Sequence, residues 1–155
     1  MSKLTTILLC SSAFLLTACG SGEEDHGDGH GHDNDGVSAE FVMPTSGKVF
    51  FSEPADGATV SSPVKVVFGT DSVGVNPAGE LKANTGHHHI LINKGAIEPG
   101  TIVPADDQHI HFGGGQTETE LELEPGEYTL TMQLADGIHR SYGEKFAATI
   151  KITVE

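Results

Sequence analysis

The sequence predicts an all-β protein: a single antiparallel β-sandwich with an immunoglobulin-like Greek key, placed after a disordered N-terminal linker. Three observations point there. From Val49 onward, short runs of alternating apolar and polar residues are separated by turn residues. No stretch carries a useful helical period or an internal repeat. Leu123-Glu124-Pro125-Gly126-Glu127-Tyr128 has the form of a tyrosine corner, in which the phenol bonds back to the chain at a Greek-key crossing.

The elements follow in order. Pro54-Ala55-Asp56-Gly57 and Ser61-Ser62-Pro63 mark turns around a first segment. Val64, Val66 and Phe68 then alternate inward, with Lys65 outward. His87 to Ile92 and His109 to Phe112 read as two more strands. Gly113-Gly114-Gly115 permits positive φ and predicts a hairpin reversal into Thr117–Leu123. There Leu121 and Leu123 face in, while Glu118, Glu120 and Glu122 face out. Tyr128, Leu130, Met132 and Leu134 form the longest inward row, and Ala148, Ile150, Ile152 and Val154 close the domain. About six to eight short strands in about 110 residues suit one sandwich around one core.

The N-terminus is of another kind. Residues 1–18 read as a lipoprotein signal peptide: a short basic start, then an apolar run from Leu4 to Leu16 too short for a stable span. Leu16-Thr17-Ala18-Cys19 resembles the bacterial lipobox, which implies acylation of Cys19 and cleavage before it. Gly20 follows with no Asp to retain the product at the inner membrane, so the expected place is the outer membrane, facing the periplasm. Residues 19–44 read as a lipid-anchored, acidic, His-rich disordered linker, and 45–155 as the sandwich. Within the linker, His26, His30 and His32 either form a weak site for copper, nickel or zinc or belong to a solvated acidic tether.

Charge and cysteine content exclude several classes. The chain carries a net −14, and losing Lys3 with the leader leaves seven basic residues against 22 acidic, a net −15. That balance disfavours nucleic acid and anionic membrane surfaces and favours cations. Membrane contact is therefore expected through the lipid anchor only, with any protein partner unspecified. Cys10 leaves with the leader and Cys19 carries lipid, so neither a disulfide nor a thiolate zinc site is available. No nucleophile elbow, P-loop, dinucleotide fingerprint or HExxH is present. A cupin metal pattern fails as well, because Ile90-Leu91-Ile92-Asn93-Lys94 follows the first histidine run and supplies no Glu.

The histidines carry the chemistry. Five of the six beyond the linker fall in His87-His88-His89 and His109-Ile110-His111. Residues two apart on a strand share a face. If Ile90, Ile92, Ile110 and Phe112 mark the core, then His87, His89, His109 and His111 all lie on the opposite, outer face. Side by side, the two pairs would offer four neutral nitrogens to one ion, and His88 and His139 are further candidates. Neutral imidazoles without thiolate suit copper, zinc or nickel, and the Irving–Williams order puts copper first. The other reading is a set of hydrogen-bonded sheet histidines or a pH-sensitive patch. Arg140, the only arginine, is either an anion contact near the metal or a partner for one of the many acids.

Ser52-Glu53-Pro54-Ala55-Asp56-Gly57-Ala58-Thr59-Val60, Gly86-His87-His88-His89-Ile90-Leu91-Ile92 and His109-Ile110-His111-Phe112-Gly113-Gly114-Gly115-Gln116-Thr117-Glu118 together resemble a small exported bacterial family, domain of unknown function 4399. The resemblance spans about Val49 to Val154; it implies a shared fold and site but no activity. The Pro-Ala-Asp-Gly-Ala opening and Leu-x-Pro-Gly-x-Tyr-Thr-Leu are more weakly similar to CopC-type copper-binding sandwiches. Those use a free N-terminal His, where this chain has Cys19. Paired His-x-His on a sandwich is also similar to copper–zinc superoxide dismutase, whose disulfide this chain lacks. The expected function is a periplasm-facing lipoprotein that binds copper for sequestration or delivery. The alternatives are a copper-dependent enzyme acting on oxygen or superoxide, and a non-metal binding module for a cell-envelope partner.

Overall fold

The computed structural model describes residues 40–155. The expected signal peptide and linker, with Cys19, His26, His30 and His32, lie outside the described residues. Nine strands follow one another: β1 (Lys48–Glu53), β2 (Ala58–Val60), β3 (Val64–Asp71), β4 (Gly74–Val75), β5 (Thr85–Ile92), β6 (His109–Phe112), β7 (Glu118–Leu121), β8 (Gly126–Ala135) and β9 (Ala147–Val154). A 3-10 turn at Glu144–Phe146 is the one helical element among the described residues.

The strands make two sheets. The smaller has the order β1-β3-β7; the larger runs β2-β9-β8-β5-β4, with β6 also paired to β5. Their facing sides build one core, so the protein is an all-β sandwich. Val49, Val64, Val66, Phe68 and Leu121 from the small sheet meet Ile90, Phe112, Leu130, Met132, Leu134, Ile150, Ile152 and Val154 from the large one. The alternation of β3 explains its inward side directly, since Val64, Val66 and Phe68 are buried while Lys65 is exposed. Tyr128 Oη donates to the Glu124 carbonyl at 3.0 Å, the bond a tyrosine corner requires.

The main pairings are antiparallel, as expected. β2 with β9 and β4 with β5 are short parallel pairings at the margins of the large sheet. One expectation is corrected: the triple glycine is not a hairpin. β6 belongs to the large sheet and β7 to the small one, so Gly113–Gly115 carries the chain across the sandwich. The reason is a competing segment, the chain after β4. It occupies the space a hairpin would need, with Ala78 N–H donating to Gly113 O at 2.9 Å and Pro77 packed against Gly115.

The outer face of β5 and β8 is covered. Thr131 Oγ1 donates to Lys94 O at 2.7 Å, Ile97 N–H to Gln133 Oε1 at 3.1 Å, and Ser141 Oγ to Ile97 O at 2.8 Å. The connection from β5 to β6 is thereby held across the sheet, and Leu91 and Gln133 beneath it are fully buried. Residues 40–44, assigned to the linker by sequence, also lie against the domain. Phe41 stacks on Tyr142 with ring centroids 5.9 Å apart, the Arg140 guanidinium stands over the Phe41 ring at 5.1 Å, and Met43 packs on the core.

Core and surface should respond differently to truncation. Phe146→Ala, at a fully buried ring, should cost about 3–5 kcal/mol in urea denaturation. Ile102→Ala, at a side chain 55% exposed, should stay within about 0.5 kcal/mol of the parent.

Candidate metal centre

Strand parity places the histidines. On β5, His88, Ile90 and Ile92 point into the core, while His87, His89 and Leu91 point outward. The pairings with both neighbours agree: His88 lies opposite Phe112 and Leu134, whereas His89 lies opposite His111 and Gln133. The two histidine blocks are thus on adjacent antiparallel strands, with His89 and His111 on one rung.

His87, His89, His111 and His139 come together, each offering a ring nitrogen within 4.8 Å of the others. Their ring centroids are 4.7 Å apart for His87 and His89, 5.1 Å for His89 and His111, 4.9 Å for His87 and His139, and 4.8 Å for His111 and His139. The Nε2 atoms of His111 and His139 are 3.2 Å apart. Nitrogens bound to one ion stand about 3.4 Å apart at tetrahedral corners and about 4.1 Å across it. Small rotations of the rings therefore suffice to close the group, and the four could hold a metal ion.

His139 arrives through a tight loop. β8 ends at Ala135, opposite His87, and the next carboxylate folds the chain back. Asp136 Oδ1 accepts from Ile138 N–H at 3.0 Å and Arg140 N–H at 2.9 Å, while Oδ2 takes Arg140 Nε at 2.7 Å. His139 itself has φ 72, a left-handed conformation that costs a non-glycine residue free energy and here turns the ring over His87. The signal in the sequence was Asp136-Gly137, a turn directly after the longest inward row.

His109 lies on the expected face but not in the group. It sits opposite Leu91, two residue pairs further along, about 6.8 Å away at strand spacing. Its Nδ1 instead meets Asp106 Oδ1 at 2.7 Å. That bond, with one from Gln108 N–H, holds the Asp106 carboxyl below its usual range. His88 is buried in the core against Phe68, ring centroids 4.7 Å apart, and faces away from the group. Arg140 is engaged by Asp136, by the Glu40 carbonyl at 3.4 Å and by the Phe41 ring.

Burial sets the electrostatics. His87 and His89 are almost inaccessible, whereas His139 is half-buried and His111 exposed, so the group opens to solvent on one side only. Burial first, then His139 and His111, push His87 down to about 4. Burial and the neighbouring rings push His89 to about 2, and burial with His139 lowers His111. At neutral pH these rings are uncharged, the form that binds a metal. Both ring nitrogens of His87, and Nδ1 of His89, are buried with no protein partner. An unpaired buried polar atom costs about 1–3 kcal/mol, so two such rings converging on one point are an ordinary expense for a ligand site and an unusual one for a core.

The protein is thus an all-β sandwich with a four-histidine group on one face of its larger sheet. The family described as Domain of unknown function (DUF4399) matches residues 66–155, and the chain belongs to it. No curated protein matches the chain.

His88 gives a test separate from the metal. Burial alone holds it at about 4 against the ordinary 6.5. Between those values the unfolded chain binds a proton that the folded chain does not. Stability therefore rises with pH through this window and is lost on acidification. His88→Leu should remove about 1.4 kcal/mol per pH unit from the slope between pH 6 and 4.5. Urea midpoints of the metal-free variant and parent at several pH values check this; parallel profiles would contradict it.

Proposed function

We propose that the protein is an exported copper-binding protein in which His87, His89, His111 and His139 hold one ion for sequestration or delivery. The observation that carries this reading is the convergence of buried, uncharged and unpartnered imidazoles on a point where two exposed-side imidazoles also arrive. The donor set supports copper: four neutral nitrogens and no thiolate suit Cu(II), Zn(II) or Ni(II), with copper bound most tightly of the three. A −15 mature chain attracts cations in general. In this reading Cys19 is acylated, the protein faces the periplasm from the outer membrane, and His26, His30 and His32 add weaker donors outside the domain.

A catalytic reading, a copper enzyme acting on oxygen or superoxide, draws its support from the one-sided exposure of His111 and His139. A ligand site that keeps a position for water is the form catalytic metal centres take. Four protein nitrogens would fill a four-coordinate ion's positions, which favours storage or transfer.

The test uses the chain with His26, His30 and His32 replaced by Ala, so that only the domain contributes. Copper titration followed by metal analysis should give one ion per chain. His89→Ala with His111→Ala should lower the affinity at least a hundredfold, given the loss of two of four ligands, while leaving the sheet circular dichroism in place. Unchanged metal content in the double variant would overturn the proposal.

A further inference from the structure

The two ligands on the open side, His111 and His139, stand on different turns. His111 is on β6 just before Gly113, and His139 is in the loop after β8. Nothing in the pairing of β5 with β6 or β8 fixes one turn relative to the other. Beside the bond from Val103 N–H to His139 O at 2.9 Å, the connection from β4 to β5 does. Its consecutive peptides Ala78 and Gly79 donate to the two turns at once: Ala78 N–H to Gly113 O at 2.9 Å, and Gly79 N–H to Gly137 O at 2.6 Å. The same strap is tied at its start to the histidine strand, with Asn76 N–H donating to Gly86 O at 2.8 Å.

The glycines at these contacts show how closely the parts meet. A Cβ on Gly137 would lie 1.9 Å from the Glu80 carbonyl oxygen of the strap. A Cβ on Gly113 would lie 2.2 Å from Cε1 and 2.4 Å from Nε2 of the His111 ring. That ring therefore rests on the bare backbone at Gly113, whose carbonyl the strap holds. Gly79 adopts φ +106 with nothing within 4 Å of a would-be Cβ, so its role is conformational: it lets two successive N–H groups face two different turns.

We infer that the Asn76–Glu80 strap is the positioning device of the metal centre, setting the separation of His111 from His139 through the paired bonds of Ala78 and Gly79. This deepens the copper reading and rests on it. His87 and His89 are fixed by one rigid strand; the strap makes the other two ligands equally well fixed, so that the four nitrogens are preorganised before an ion arrives. Gly79, Gly113 and Gly137 are positioning residues, acting through the histidines.

The test compares three variants of the full chain with His26, His30 and His32 replaced by Ala. Gly79→Ala strains the strap without touching any side chain, Gly137→Ala drives it from the His139 turn, and Glu80→Ala leaves its backbone contacts intact. Copper(II) is the probe, read by affinity and by the nitrogen hyperfine pattern of its electron paramagnetic resonance. In the metal-free chain, imidazole ¹⁵N spectra report the contact between His111 and His139. Gly79→Ala and Gly137→Ala should weaken copper binding about tenfold or more, change the hyperfine pattern and perturb the two imidazoles. Glu80→Ala should match the parent in all three. Should Gly137→Ala fail to fold, Gly79→Ala decides. Wild-type affinity, hyperfine pattern and imidazole spectra in Gly79→Ala would overturn the strap. If the parent binds no copper, the copper reading fails by itself, and the imidazole spectra of the metal-free variants still decide whether the strap holds the two rings.

Discussion

Everything at the candidate site depends on the register of β5. That strand is paired on one side with β8 and on the other with β6, and its side chains alternate between the core and the covered outer face. A slip of one residue would send His87 and His89 into the core and bring His88 outward, since side-chain direction has a period of two. The register is held by what the inward residues bury: Ile90 against Met132 and Ile110, with Phe112 and Leu134 around His88. The hydrophobic core thereby decides which imidazoles reach the group. Packing and site are two faces of one strand.

The covered outer face changes the chemistry from that of a surface patch. His87 and His89 are closed off from solvent, and both nitrogens of His87 and Nδ1 of His89 gain no partner from the protein. Buried polar groups are paired in the great majority of cases. One metal ion would satisfy one nitrogen on each ring and release that cost. The second nitrogen of His87 and both nitrogens of His88 have no partner that the fold supplies, and nothing in the structure explains His88, which a Leu or Phe would fill at less cost.

Much of this was readable from local pattern. The alternation around Ile90, Ile110 and Phe112 gave the correct face for His87, His89, His109 and His111, because parity is a property of adjacent residues. What parity does not contain is the offset between strands. Whether His109 or His111 stands opposite His89 depends on the β5–β6 register, and that one step separates a ring in the group from a ring on Asp106. His139 is hard to place from sequence for a related reason. Its place follows from the end of β8 opposite His87 and from Asp136 curling the next turn, a contact between distant segments. The failed hairpin at Gly113–Gly115 has the same origin: glycines show that a turn is permitted, and the chain after β4 decides where it leads.

X-ray absorption at the copper edge, on the copper-loaded chain with His26, His30 and His32 replaced by Ala, reads the ligand set itself. It counts the ligands and identifies them, since imidazole rings scatter in a recognisable outer shell. A site of His87, His89, His111 and His139 gives a first shell of four nitrogens at about 2.0 Å with imidazole outer-shell scattering, reduced by one ring in His139→Ala and unchanged in His109→Ala. A shell dominated by oxygen, or one that loses a ring with His109→Ala and keeps all of them with His139→Ala, would contradict it.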